Sequence, residues 1–391
     1  MQRIHGRTMA LFLVVICLAV WQRCATAAVA ILANRTSSPI RFTSQSLFPQ
    51  ASRSADTKGA LEKSPDDSQR HERHVVQPGE CIALSVETGQ RLSIHGADFG
   101  GYELQPYHVY YFGATRAKTI ELREIGLHAA QERQNARRPP FIGAGSDLAA
   151  AQSDEDEAQH NRRRTIRVAV FADDEERAVD QLWKKRFQDR IAAASQILER
   201  SCGMRLAVQS FGRWESDDRV NDFDLSLREF ERNVKKPAEA HVAIGFSSQY
   251  TITRGRTHLG GTHGPMNSHI LLREWSQHVS EPERLELLVH ELGHFLGSVH
   301  SPESNSVMRS VLGDRQARAR AFRIAFDPVN ALAMSIVGEE IRDRGISSFA
   351  QLSEPARARL EGIYTTLAQA LPDDPAAASY LLYVRRQFRV E

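Results

Sequence analysis

Cysteine is scarce in this chain: four residues in 391. Two of them, Cys17 and Cys24, lie in an N-terminal stretch that reads as removable, which leaves Cys81 and Cys202. That pair can form one disulfide or stay as two buried thiols, and the sequence does not choose between them. Net charge is nearly absent, +2 from 50 basic and 48 acidic residues, which argues against nucleic acid or an anionic membrane as the main partner. No long hydrophobic run is present. The longest, "ALFLVVICLAVW", has 12 residues, and a membrane span needs about 20. No internal repeat is apparent, and no aspartate cluster has the spacing of a calcium loop. A structural calcium, or any second metal ion, is left open.

What is present at the N-terminus is the pattern of an export signal. Arg3 and Arg7 precede the apolar run, and Ala25 and Ala27 occupy the small-residue positions of a cleavage site. The expectation is residues 1–27 as signal peptide and a secreted or periplasmic protein with no stable membrane anchor once the signal is removed. Hydrophobic content of 41% with 25% charged residues suits a soluble globular protein with a sizeable core.

Composition then divides the chain. Residues 28–115 carry short β-branched runs separated by Pro-Gly, Thr-Gly and Gly-Gly turns, the pattern of a small β-sandwich. A polar stretch ending in "HER" reads as a long loop inside it, with "HERH" as solvated histidines. Residues 116–164 hold an acidic run, a basic run and a Pro-Pro pair, a charged linker. "NRRR" at its end, Asn161–Arg164, is a candidate nicking site, which makes the sandwich either an accessory domain or a removable prodomain.

At Thr165 strands and helices begin to alternate. "TIRVAVFA", "MRLAVQSFGRW", "AHVAIGFS" and "SHILLRE" read as strands. An amphipathic helix with Val179, Leu182, Phe187, Ile191, Ala194 and Leu198 near one face stops at Gly203. A short helix covers "FDLSLREFERNVKK". The fold class is therefore α+β or α/β, with residues 165–345 as the main domain and 346–391 as a C-terminal helical segment.

One helix, Glu281 to Leu296, carries the chemistry. Ser280 and Glu283 form a capping-box pattern, with Pro282 in the first turn. His290 and His294 are four apart and share a face, so two imidazoles can hold one ion. Glu291, beside the first, can reach a water on that ion. Gly297 can leave the helix in a conformation other residues avoid, which turns the chain back and delivers His300. Three neutral nitrogens leave a fourth position open, the arrangement of one catalytic zinc ion rather than a structural one. Glu291 is the candidate general base. The other histidines, in "THLGGTHGPMNSH" (His258, His263, His269), line a glycine-rich loop and are read as polar loop residues or cleft lining.

His290–His300 resembles the elongated zinc signature of the metzincin peptidases, and Met308 stands where that family has its Met-turn. The spacing from His300-Ser301 to Met308 is most similar to the matrixin branch. The resemblance implies a twisted mixed sheet with an active-site helix, His290, His294 and His300 as zinc ligands, Glu291 as base and Met308 as a hydrophobic floor. It implies a protein or peptide substrate laid along an edge strand, here within 257–264, and a pocket lined by the residues after Met308. Those residues, "RSVLGDRQARARAF", are strongly basic, with Arg309 where matrixins usually carry tyrosine. Either the pocket prefers acidic side chains or the arginines are simply solvated. The matrixin inhibitory cysteine motif is absent, and Cys81 suits a strand better than a latch on zinc. The function expected is a secreted zinc-dependent endopeptidase. The alternative is a non-catalytic, zinc-stabilised extracellular binding protein. Oligomeric state is not legible.

Overall fold

The structure is a computed structural model, and it describes residues 28–47, 71–86, 91–115, 117–127, 164–220, 222–249, 259–274, 279–319 and 322–386. The expected signal segment, most of the expected linker, including residues 161–163 of the candidate nicking site, and residues 250–258 lie outside the described residues. No described helix is long and apolar enough to cross a membrane.

Eight strands build the N-terminal part: β1 (Ala28–Asn34), β2 (Ile40–Leu47), β3 (His71–Val76), β4 (Cys81–Val86), β5 (Arg91–Gly96), β6 (Gly100–Leu104), β7 (Val109–Ala114) and β8 (Ile120–Ile125). They form two four-stranded sheets, ordered β4-β1-β7-β8 and β3-β2-β5-β6. Two sequence expectations change here. His71–His74 is not a loop but the start of β3; His71, Glu72 and Arg73 are exposed as expected, while half-buried His74 stacks on Phe42 and meets the Ser44 hydroxyl at 2.8 Å. Residues 120–125, read as linker, pair with β7 and complete the first sheet.

Alternation along β1 explains how this part joins the rest. Ala28, Ala30 and Leu32 face the sandwich interior with Phe42, Ile94 and Phe112. Val29, Ile31 and Ala33 point the opposite way, as successive strand residues must, and join the main core. Every residue of β1 is buried.

The main part begins with β9 (Thr165–Asp173), then α1 (Asp180–Cys202), β10 (Arg205–Trp214), α2 (Phe223–Asn233), β11 (Val242–Ser247), β12 (Gly260–Gly261), β13 (His269–Arg273), α3 (Glu281–Phe295), α4 (Pro328–Arg344), α5 (Glu354–Ala370) and α6 (Pro375–Arg386). The sheet order is β10-β9-β11-β13-β12. Its first four strands run parallel and β12 runs antiparallel at the edge. The three strands β9, β11 and β13 are mostly or wholly buried, as the interior of a sheet covered by helices requires, while the edge strand β10 alternates exposed and half-buried residues.

Helix α1 buries Trp183, Phe187, Ile191, Ala194 and Leu198 and ends at Gly203, whose φ of 70° only glycine adopts freely. Val179 and Leu182, expected on the buried face, are 65% and 63% exposed. The stripe is set by Trp183, one residue on. Cys81 and Cys202 are both free and buried. Their thiols donate to the carbonyls of Phe326 and Leu198, so neither a disulfide nor a latch on the histidines is formed.

Candidate metal centre

Helix α3 begins as its sequence requires. The capping box between Ser280 and Glu283 is formed, with the Glu283 carboxylate 2.7 Å from the Ser280 N–H and Pro282 in the first turn. Buried ion pairs hold it to its neighbours. Arg190 of α1 contacts Glu274 and Glu281 at the helix start, and Arg309 reaches Glu286 at 2.7 Å.

The helix places His290 and His294 one turn apart, and the chain leaves it at Gly297 with φ 87°. A Cβ there would come within 3.0 Å of Val337 and 3.1 Å of the Tyr364 hydroxyl, so both backbone and space demand glycine. The turn is closed by Ser298 N–H bonding the Gly293 carbonyl at 2.8 Å. Its effect is to return His300 to the other two rings. One nitrogen from each of His290, His294 and His300 lies within 4.8 Å of the others.

The proton on each ring can be placed. Nδ1 of His290 lies 2.8 Å from the Val307 carbonyl, and Nδ1 of His294 lies 3.0 Å from the Ser298 carbonyl. A carbonyl only accepts, so both Nδ1 atoms carry hydrogen and both Nε2 atoms present lone pairs. Those two Nε2 atoms are 3.1 Å apart. Protonation of either ring at Nε2 would cure the clash of lone pairs, but it is disfavoured. Burial first, then the neighbouring imidazoles, holds His290 well below the usual histidine range, and burial and His300 bring His294 down to about 4. Neutral, deprotonated nitrogens crowded together fit a divalent cation.

Glu291 is fully buried between these ligand candidates, and burial pushes its carboxyl up to about 8. It packs under the edge strand: a Cβ at Gly260 would meet Glu291 Oε1 at 3.0 Å. The strand expected within 257–264 is thus β12, directly over the carboxylate. Met308 is fully buried. Its backbone bonds Ser301 and the Ser306 hydroxyl, and its sulfur lies 2.6 Å from where a Cβ on Gly293 would stand. The residue before it supplies the carbonyl that orients His290.

In the basic segment after Met308, Arg315, Arg318 and Arg323 are exposed, as solvated arginines are, but Arg309 departs from both readings offered. Arg309 is 6% exposed and held by Glu286 and Asp314, so it is neither solvated nor a free pocket charge. Arg318 pairs with Glu283. His263 pairs with Glu231 at 2.9 Å, and His269 is bonded on both nitrogens, to Ser268 and the Val234 carbonyl. Neither joins the triad, and His258 lies outside the described residues.

Three residues at this site are not visible to sequence reasoning. Tyr364 of α5 donates to the Gly297 carbonyl at 2.7 Å, Tyr380 of α6 lies 3.4 Å from the His294 carbonyl, and Asp374 between the two helices lies 2.6 Å from His300 Nδ1. All three sit more than 60 residues beyond the motif, where no spacing rule reaches.

Comparison with known proteins bears on the same segment. Residues 162–321 match the family model of metallo-peptidase family M12 (Reprolysin_5), less than half of the chain. Proteins of that family are zinc-dependent peptide hydrolases, so the match supports a zinc metallopeptidase in this segment. It lends the matrixin branch no separate support. A search of curated proteins found no match. Among solved structures, archaemetzincin from Methanopyrus kandleri is 15% identical, over 47% of this chain and 97% of that one, with a TM-score of 0.30. A chaperone-substrate complex is 10% identical, over 68% of this chain and 43% of that one, with a TM-score of 0.32. Neither score is high enough to carry an argument.

Proposed function

We propose that the protein is an exported zinc endopeptidase of the metzincin type, with His290, His294 and His300 as the zinc ligands and Glu291 as the general base. The observation that carries this is the pair of imidazole Nε2 atoms 3.1 Å apart, each ring's Nδ1 turned to a backbone carbonyl, beside a buried carboxylate. A purely structural site has no use for that carboxylate.

When bound, zinc supplies a Lewis acid that brings a water's pKa to about 7 and polarises the carbonyl under attack. The chain's own part begins with substrate placement. The extended peptide adds to the exposed edge of β12 through main-chain hydrogen bonds. Glycine at 260 keeps that strand close to Glu291. Burial makes the Glu291 carboxylate a stronger base than one in water, and a cation beside it favours its charged form. It takes a proton from the attacking water and returns it to the amine nitrogen that departs.

The test uses purified protein, denatured protein substrates, a chelator and Glu291→Gln. Cutting should require the metal and fall by about 100-fold or more in the variant, within the range of a lost general base. Zinc binding without cutting of any peptide would favour the binding-protein alternative instead. Export rests on the signal pattern in residues 1–27. N-terminal sequencing of protein recovered outside the cytoplasm should start near Ala28.

A further inference from the structure

The three imidazoles differ in what holds them. His290 and His294 rest on backbone carbonyls 17 and 4 residues away in sequence. His300 rests on a carboxylate 74 residues away, Asp374 Oδ2 at 2.6 Å. That carboxylate is itself fixed. Its other oxygen accepts the Ala376 N–H at 2.8 Å at the start of α6, and its backbone N–H bonds the Leu371 carbonyl at 3.1 Å. The same two helices hold the backbone on either side of the turn, through Tyr364 on Gly297 and Tyr380 on His294.

Resting on the zinc reading above, we propose that Asp374 is a positioning residue for the third ligand: it holds the proton on His300 Nδ1, so that Nε2 faces the ion with its lone pair. A carboxylate against the far nitrogen of a ligating imidazole has this effect generally, and its loss typically weakens metal binding 10- to 100-fold. The hairpin of α5 and α6 is then part of the metal centre rather than an appendage to it.

Asp374→Asn separates this role from a merely structural one. Asparagine keeps the side-chain oxygen that caps α6. It presents an N–H to His300 Nδ1, which forces the ring proton onto Nε2, the nitrogen the ion needs. Asp374→Ser keeps a capping oxygen and removes the contact. Zinc affinity is measured by competition with a chromophoric chelator, and melting temperature with and without zinc. Both variants should bind zinc 10- to 100-fold more weakly. Their metal-free melting temperatures should match that of the parent, while the rise on adding zinc is smaller. Equal zinc affinity in parent and variants would overturn the proposal. So would a metal-free melting temperature lowered as much as the zinc-bound one, because that is what loss of a cap alone would do. If the parent itself takes up no zinc, the zinc reading falls and the proposal with it.

Discussion

A single hydrogen atom decides much at Gly293. It sits inside α3 between His290 and His294, where glycine costs a helix about 1 kcal/mol relative to alanine. A Cβ there would lie 2.6 Å from the Met308 sulfur and 2.8 Å from the Phe326 ring, and both neighbours are buried. Overpacking of this kind costs about 1–3 kcal/mol, enough to reverse the helix gain. Gly293→Ala is therefore expected to lower the unfolding midpoint in urea. A raised midpoint would show that Met308 moves aside freely. The candidate ligand set was legible from residues 290–300 because one helix turn and one glycine bend bring all three rings together from adjacent sequence. The need for Gly293 was not, since what it makes room for comes from Met308 and Phe326. Asp374 was equally hidden, because a loop between two helices gives no periodic signal.

Helices and strands are tied to one another here by buried charge. Arg309 joins the Met308 turn to α3 through Glu286, which is 1% exposed. Arg309→Met would leave that carboxylate buried without its cation, at a cost of about 3–5 kcal/mol. Adding Glu286→Gln should recover part of the loss, since a buried amide costs less than an unpaired charge. A double-mutant cycle in urea that shows simple additivity would refute this coupling. The hydrophobic period located α1 and its buried stripe through Phe187, Ile191, Ala194 and Leu198, but failed at the N-terminal end: Val179 is the residue capping the helix and Leu182 lies in its first turn, both turned to solvent, while Trp183 starts the stripe. Pairing partners were beyond reach. "HERH" is polar along its length, and only its register against β2 makes it a strand.

Across the whole molecule the sandwich and the main part share one core. Val29, Ile31, Cys81 and Val109 belong to the same buried cluster as α3 and α5. A uniformly apolar β1 is the sequence trace of this, yet uniform burial does not say what lies on each side. Calorimetry should show one unfolding transition, whereas a sandwich that melts separately would refute the sharing. Among the polar links, Tyr107 donates to Glu339 of α4 at 3.0 Å, with Arg359 stacked on the tyrosine ring. Burial pushes the Glu339 carboxyl up from 4.5 to about 7. Folding thus favours its protonated form. The stability this gives is complete below pH about 4.5 and is lost as pH rises through about 7, an effect on the order of 2–3 kcal/mol. Glu339→Gln keeps the Tyr107 contact and cannot titrate. The stability of the parent relative to this variant should fall by that amount between those two pH values, read from urea unfolding at each. A flat difference would place Glu339 in a wetter setting. The reach from His300 to Asp374 also has a consequence for biogenesis. A ribosome releases His300 some 74 residues before Asp374, so on the zinc reading proposed above a nascent chain would expose the histidines to metal before it could grip one firmly. On that reading, competence waits until α5 and α6 fold back over a turn made long before them.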